Sequence, residues 1–156
     1  SYIYTMKIED AIQAKFQSPQ HKAVVNLRFT ANFLSNIQNN FMAQFHLTMP
    51  QFNILRILRG AKDAINVNTV KERMLEKSPN TTRLMDKLIE KELIDRVRCN
   101  EDRRVVYVKI SEKGLALLAE IDEQFKENSI IQLNISDEDA QHLSELLDKV
   151  RLSYGV

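Results

Sequence analysis

Apolar residues recur at three- and four-residue intervals along most of the chain, and one stretch near the middle alternates instead. Ile8, Ile12 and Phe16 predict a short amphipathic helix over 7–17, which Pro19 is expected to end. No Gly or Pro interrupts His21 to Phe45, where Val24, Leu27, Ala31, Leu34, Phe41 and Phe45 form a stripe with Gln38 as its polar member and Ile37 beside it. This predicts one long helix, which would protrude from so small a domain unless a second subunit covers it. Thr48-Met49-Pro50-Gln51 has the form of a capped helix start, with Phe52, Ile54, Leu55 and Leu58 as the buried face and Gly60 just past the end. Val67 to Leu75 predicts a short helix bearing Val70 and Leu75. Ser78 is then expected to cap a helix over 79–91 with Pro79 at its first position, burying Leu84, Met85, Leu88 and Ile89. Ile94–Arg98 and Val105–Ile110 alternate around the polar turn 99–104, which predicts a β-hairpin with a charged tip. Ser111 opens a helix with Leu115, Leu118, Ile121 and Phe125 on one side. Ser136 and three following acids open the last helix, whose stripe is Ala140, Leu143, Leu147 and Val150.

The expected fold is therefore mainly α with a small β-hairpin wing. Three Gly and three Pro in 156 residues favour long helices over a turn-rich sheet protein. A single cysteine excludes an internal disulfide and suggests a reducing, cytoplasmic setting. No apolar run is long enough to cross a bilayer and no stretch reads as a signal peptide, so no membrane partner is expected. The net charge of +1 conceals an asymmetry. Residues 114–156 carry three bases against nine acids, a net of −6, and residues 1–113 carry 19 bases against 12 acids, a net of +7. A chain so divided can meet a polyanion with its basic part.

Helix, short helix, turn, helix, hairpin is the order of a winged helix-turn-helix. A helix about 12 Å across with its side chains fits a major groove of about 12 Å. On the segment 79–91, the face opposite Leu84, Met85 and Leu88 carries Asn80, Thr82, Arg83, Asp86 and Lys87. Asn and Arg pair bidentately with adenine and guanine edges, and Thr suits a phosphate or a thymine methyl. Thr81 and the capping Ser78 complete the candidate set on this element. Taken singly, a cation on a surface helix is more often solvent-facing than bound to DNA. The capped helix, the short helix before it and the basic hairpin after it together carry the reading. Arg98, Arg103 and Arg104 surround the hairpin tip, where a thin basic loop can enter the minor groove. Asp102 is expected to pair with Arg104 and orient its guanidinium; the plain alternative is a surface ion pair of negligible worth.

The run Ser78-Pro79-Asn80-Thr81-Thr82-Arg83-Leu84-Met85-Asp86-Lys87-Leu88-Ile89-Glu90-Lys91-Glu92-Leu93-Ile94-Asp95-Arg96 resembles the recognition-helix segment of the multiple antibiotic resistance regulator (MarR) family. Glu101-Asp102-Arg103-Arg104 followed by Val108-Lys109-Ile110-Ser111-Glu112-Lys113-Gly114 is similar to that family's wing and the helix start after it. Leu47-Thr48-Met49-Pro50-Gln51-Phe52 is similar to its first DNA-domain helix. The resemblance spans essentially residues 20–150. It implies a DNA-binding unit over 47–110 within a single domain 1–156, with dimerisation helices over 7–46 and 111–156. It further implies a homodimer on double-stranded DNA, Arg104 as the minor-groove residue and Asp102 as its support. It also implies repression relieved by a small aromatic or phenolic effector or by oxidation. Two positions depart from the pattern: Glu92 stands in a turn where the family usually has Gly, and Cys99 where an Asp is common.

Other chemistry finds little footing. His21, His46 and His142 lack ligand spacing, so no metal is expected, and no cofactor-binding loop or nucleophile–base pattern marks an enzyme. Cys99, without a second cysteine, reads as a strand residue rather than a redox switch. Asn80-x-Thr82 and Asn134-x-Ser136 match glycosylation acceptors, as such short patterns do by chance. Phe29, Phe33, Phe41 and Phe45 with Met42 read as core or dimer interface before effector pocket. The alternative function is a winged-helix protein-interaction module without DNA binding, which Asp86 and Glu90 on the recognition helix permit.

Overall fold

The computed structural model describes residues 6–127 and 133–156, so residues 1–5 of the expected single domain and 128–132 of the expected C-terminal dimerisation region lie outside the described residues. In chain order the elements are α1 (Ile8–Ile12), α2 (Pro19–Ala43), α3 (Met49–Ala61), β1 (Ile65–Asn66), α4 (Val67–Arg73), α5 (Thr81–Glu90), β2 (Ile94–Arg98), β3 (Val106–Ile110), α6 (Glu112–Glu127) and α7 (Asp137–Leu152). The fold is mainly helical with a small antiparallel sheet, in the order β1-β3-β2. The hairpin register pairs Ile94 with Ile110 and Arg98 with Val106. The sequence did not point to β1, whose two residues pair Ile65 with Val108 and Asn66 with Tyr107.

Several helix starts, though not those of α1 and α5, follow side-chain caps. Thr48 and Gln51 form the reciprocal box: the Gln51 N–H donates to Thr48 Oγ1 at 3.3 Å, and the Thr48 N–H donates to Gln51 Oε1 at 3.0 Å. Ser136 Oγ accepts from the Asp139 N–H at 3.1 Å, with Asp137, Glu138 and Asp139 in the first turn of α7. Pro19 opens α2 instead of ending α1. Ser18 Oγ accepts from the His21 N–H at 3.1 Å, and Pro19 occupies a first-turn position where its missing donor costs nothing. α1 stops at Gln13, which takes φ 50°, before Phe16 is reached. Gly60 likewise lies inside α3, and Lys62 closes that helix with φ 63°. Leu75 is 82% exposed, and Met74 holds the buried place expected of it.

Most of the core lies among α3, the sheet, and the inner faces of α4, α5 and α6. Ile54, Leu55, Leu58, Val70, Leu88, Ile94, Val108, Leu118 and Ile121 are all essentially sealed from solvent. The Phe125 ring of α6 packs at a tilt against Phe41 of α2, with centroids 4.9 Å apart, and against Phe52 of α3, at 5.7 Å. Arg59 of α3 meets Asp122 of α6 at 2.6 Å. Of the phenylalanine stripe, Phe41 and Phe45 are buried with Met42, whereas Phe29 and Phe33 stay largely exposed.

The end of α5 is held by a Schellman motif. Glu92 takes φ 60°, its N–H donates to Ile89 O at 2.9 Å, and the Leu93 N–H donates to Leu88 O at 3.0 Å. Glu92 thus takes up the turn conformation that favours glycine. The same corner receives α6: the Ser111 N–H donates to Leu93 O at 3.0 Å, and Ser111 Oγ donates to Glu92 O at 2.7 Å. Ser111 Oγ also accepts from the Gly114 N–H at 3.0 Å, the cap expected of it. A Cβ on Gly114 would lie 2.3 Å from Leu93 O and 2.8 Å from Ile110 Cγ1. Two stability outcomes follow. Gly114→Ala should destabilise by about 2–3 kcal/mol in chemical denaturation despite alanine's higher helix propensity, because the clash is with backbone; an unchanged midpoint would refute the close approach. Glu92→Gly should stabilise by about 1 kcal/mol by relieving the left-handed residue, and a loss of stability on the same measurement would count against that strain.

Candidate nucleic-acid interface

α4, the turn after it and α5 form the helix-turn-helix, and β2 and β3 with the loop between them form the wing. Amphipathic spacing fixes the rotation of α5. Met85 and Leu88 are buried against the core, with Leu84 and Ile89 half-buried beside them, so Thr82, Arg83 and Lys87 point outward. α5 starts two residues later than the sequence suggests. Pro79 and Asn80 form a turn before it, and Asn80 is the flanking residue, whose carbonyl accepts from the Leu84 N–H at 3.0 Å. Ser78 therefore does not cap the helix itself. Its Oγ accepts from the Asn80 N–H at 3.1 Å, and its carbonyl accepts from the Thr81 hydroxyl at 3.0 Å. Thr81 is only 1% exposed, which removes it from the residues able to touch a nucleic acid; its hydroxyl holds the turn instead.

The hairpin carries its cations at the far end. Arg98 closes β2, and Arg103 and Arg104 lie in the loop, all three exposed. Among the described residues, Arg83, Lys87, Arg98, Arg103 and Arg104 make no ion pair. Five cations on two adjoining elements are thus left free for an external anion. Asp102 does not pair with the Arg104 guanidinium. Its Oδ1 accepts from the Arg104 backbone N–H at 2.9 Å, and its carbonyl accepts from the Val105 N–H at 3.2 Å. A short acidic side chain bonding a backbone two residues on makes an Asx turn, so Asp102 shapes the loop from which Arg104 projects.

A cleft of about 240 Å³ separates α5 from the wing, with Thr82, Met85 and Asp86 on one wall and Arg96, Arg104 and Val106 on the other. Arg96 Nη2 meets Asp86 Oδ1 at 2.5 Å. Sequence reasoning counted Asp86 among the outward residues and gave Arg96 no role. The available signal was strand alternation: Arg96 shares a β2 face with the buried Ile94, so it lies on the helix side of the strand. No helix among the described residues is long and apolar enough to cross a membrane, and no cluster of metal-ligating side chains occurs among them.

Comparison with known proteins agrees with this geometry. The sequence pattern of the MarR family matches residues 47–106, the segment from the α3 start to the wing. The HTH-type transcriptional regulator MhqR of Bacillus subtilis (strain 168) is 29% identical over 122 residues, covering 77% of this chain and 83% of its own. The uncharacterized HTH-type transcriptional regulator YpoP of the same organism is 32% identical over 107 residues, covering 67% of this chain and 74% of its own. In structure, a mutant MarR from E. coli complexed with operator DNA superposes with a TM-score of 0.70 at 21% identity, covering 93% of this chain and 99% of that one. The Asx turn is open to a separate check: Asp102→Asn should keep the wing-loop amides of 103–105 as protected from hydrogen exchange as in the parent, whereas Asp102→Ala should expose them. Equal protection in both variants would show that the turn does not depend on this oxygen.

Proposed function

The chain belongs to the MarR family of DNA-binding transcription regulators, and we propose that it binds a near-palindromic operator as a homodimer and represses the genes it overlaps. The observation that carries this reading is the set of unpaired cations: Arg83 and Lys87 on the outward face of α5, and Arg98, Arg103 and Arg104 on the wing. α5 enters the major groove, where Asn80, Thr82 and Arg83 meet base edges and phosphates, and Ser78 lies at the turn that leads into it. The wing reaches the neighbouring minor groove with Arg104 foremost. Binding is then largely a phosphate interaction that weakens steeply with salt.

The homodimer is supported by an apolar surface that one chain leaves open. α7 buries none of its residues, and Leu143, Leu146 and Val150 are 43–49% exposed. Val24, Leu27, Phe29 and Phe33 of the 25-residue α2 are similarly uncovered. Faces of this extent on helices from both ends of the chain mark a protein interface, and a second copy with the same faces fits it with two-fold symmetry. The operator half-sites should then be about 34–36 Å apart, one turn of duplex. The family resemblance extends the proposal to release by a small aromatic or phenolic effector.

Selection of bound fragments from genomic DNA by the purified protein should enrich one inverted repeat. On a duplex carrying it, Arg104→Ala should lower affinity by roughly tenfold or more, while sedimentation still reports a dimer and circular dichroism the parent's helicity. Parent-like affinity of that variant would refute the wing assignment, and failure to enrich any sequence would favour a protein-interaction module.

A further inference from the structure

We propose that Asp86, an acid on the element offered to DNA, is a positioning residue that sets the direction of the wing by tying Arg96 of β2 to α5. The proposal rests on the DNA-binding reading above and asks how its two contacting elements are held in register. Asp86 and Arg96 lie ten residues apart, with the Schellman corner at Glu92 and Leu93 between them, so the chain doubles back and β2 runs alongside the helix. The 2.5 Å contact joins the two arms beyond the corner. The hydrophobic core holds α5 along its length, through Met85 and Leu88, but reaches β2 only at its start, through Ile94. Farther out, along Arg96, Val97 and Arg98, the outer strand is exposed. It bonds only to β3, because β2 is an edge strand. The cleft between α5 and the wing is open there, and among the described residues Asp86–Arg96 is the polar contact that crosses it.

As a source of fold stability this pair counts for little, because both side chains are about half exposed, at 57% and 48%. Nor does bare electrostatics account for it. A carboxylate beside Arg83 and Lys87 opposes a polyanion, and its removal would free Arg96 as one more cation. On charge alone, neutralising Asp86 strengthens DNA binding. On the positioning account it weakens binding, because the wing loses its register with the helix and the Arg104 loop no longer meets its groove when α5 is seated. The two accounts differ in sign.

The test uses the full-length protein and a duplex chosen by it from a random-sequence pool. Asp86→Asn is expected to lower affinity about threefold to tenfold, within the range of coupling between neighbouring charged side chains. Asp86→Glu should restore most of the loss, because a carboxylate can still reach Arg96. Arg96→Ala should lower affinity on its own, and Asp86→Asn in that background should add nothing further. In the free protein, Asp86→Asn should speed hydrogen exchange of the wing amides at 98–105 while leaving the amides of α3 and the thermal midpoint unchanged. Affinity of Asp86→Asn equal to or tighter than the parent's, or unchanged wing exchange, overturns the proposal. Should the parent itself select no duplex, the DNA-binding reading fails, while the exchange measurement still decides whether the pair holds the wing.

Discussion

The structure depends on one peptide corner, Glu92–Leu93. Its N–H groups close α5 through Ile89 O and Leu88 O, and its carbonyls receive the hydroxyl and N–H of Ser111 where α6 begins. The Lys113 ammonium adds a bond to the neighbouring Lys91 carbonyl at 2.9 Å. The end of the recognition helix, the root of the wing and the start of α6 are therefore fastened to the same few atoms. Gly114 permits it, because any side chain there would displace the Leu93 carbonyl. The rotation of α5 about its axis, and hence which residues face outward, is inherited from this corner and from the burial of Met85 and Leu88.

From that corner the functional surface follows by exclusion. Residues the core requires are taken inward, including Thr81, whose type alone suggested a contact role. What remains outward on α5 and the wing includes the five unpaired cations Arg83, Lys87, Arg98, Arg103 and Arg104, beside the exposed acids Glu90, Asp95, Glu101 and Asp102 and the Asp86–Arg96 pair. The aromatic contacts of Phe125 with Phe41 and Phe52, and the Arg59–Asp122 pair, join α6 to α2 and α3.

Much of this was legible in the sequence where a local signal had a single physical meaning. The Thr48–Gln51 box, the Ser136 cap and the alternation over 94–110 each name an element and one of its ends, and the structure has them there. The misreadings share a different cause. Pro19, Gly60 and Pro79 are residues with two uses, and tertiary context chose the other one: a helix start for Pro19, a helix interior for Gly60 and a preceding turn for Pro79. β1 has too few residues to show a period and exists because β3 offers it an edge. Asp102 had two donors within reach of its type, and the backbone N–H won over the guanidinium because a short side chain reaches it without ordering a long one. Strand alternation puts Arg96 on the helix side of β2, but the Asp86–Arg96 pair spans two elements, so no pattern within either names the partner.

The strand order carries one more consequence. β2 is an outer strand whose free backbone edge could recruit a strand from another molecule, the usual start of sheet-driven aggregation. Asp95, Arg96 and Arg98 place charge along that strand, a feature that disfavours such pairing. Variants that strip them would be expected to lose colloidal solubility, and an apparent defect in such proteins has to be separated from simple precipitation.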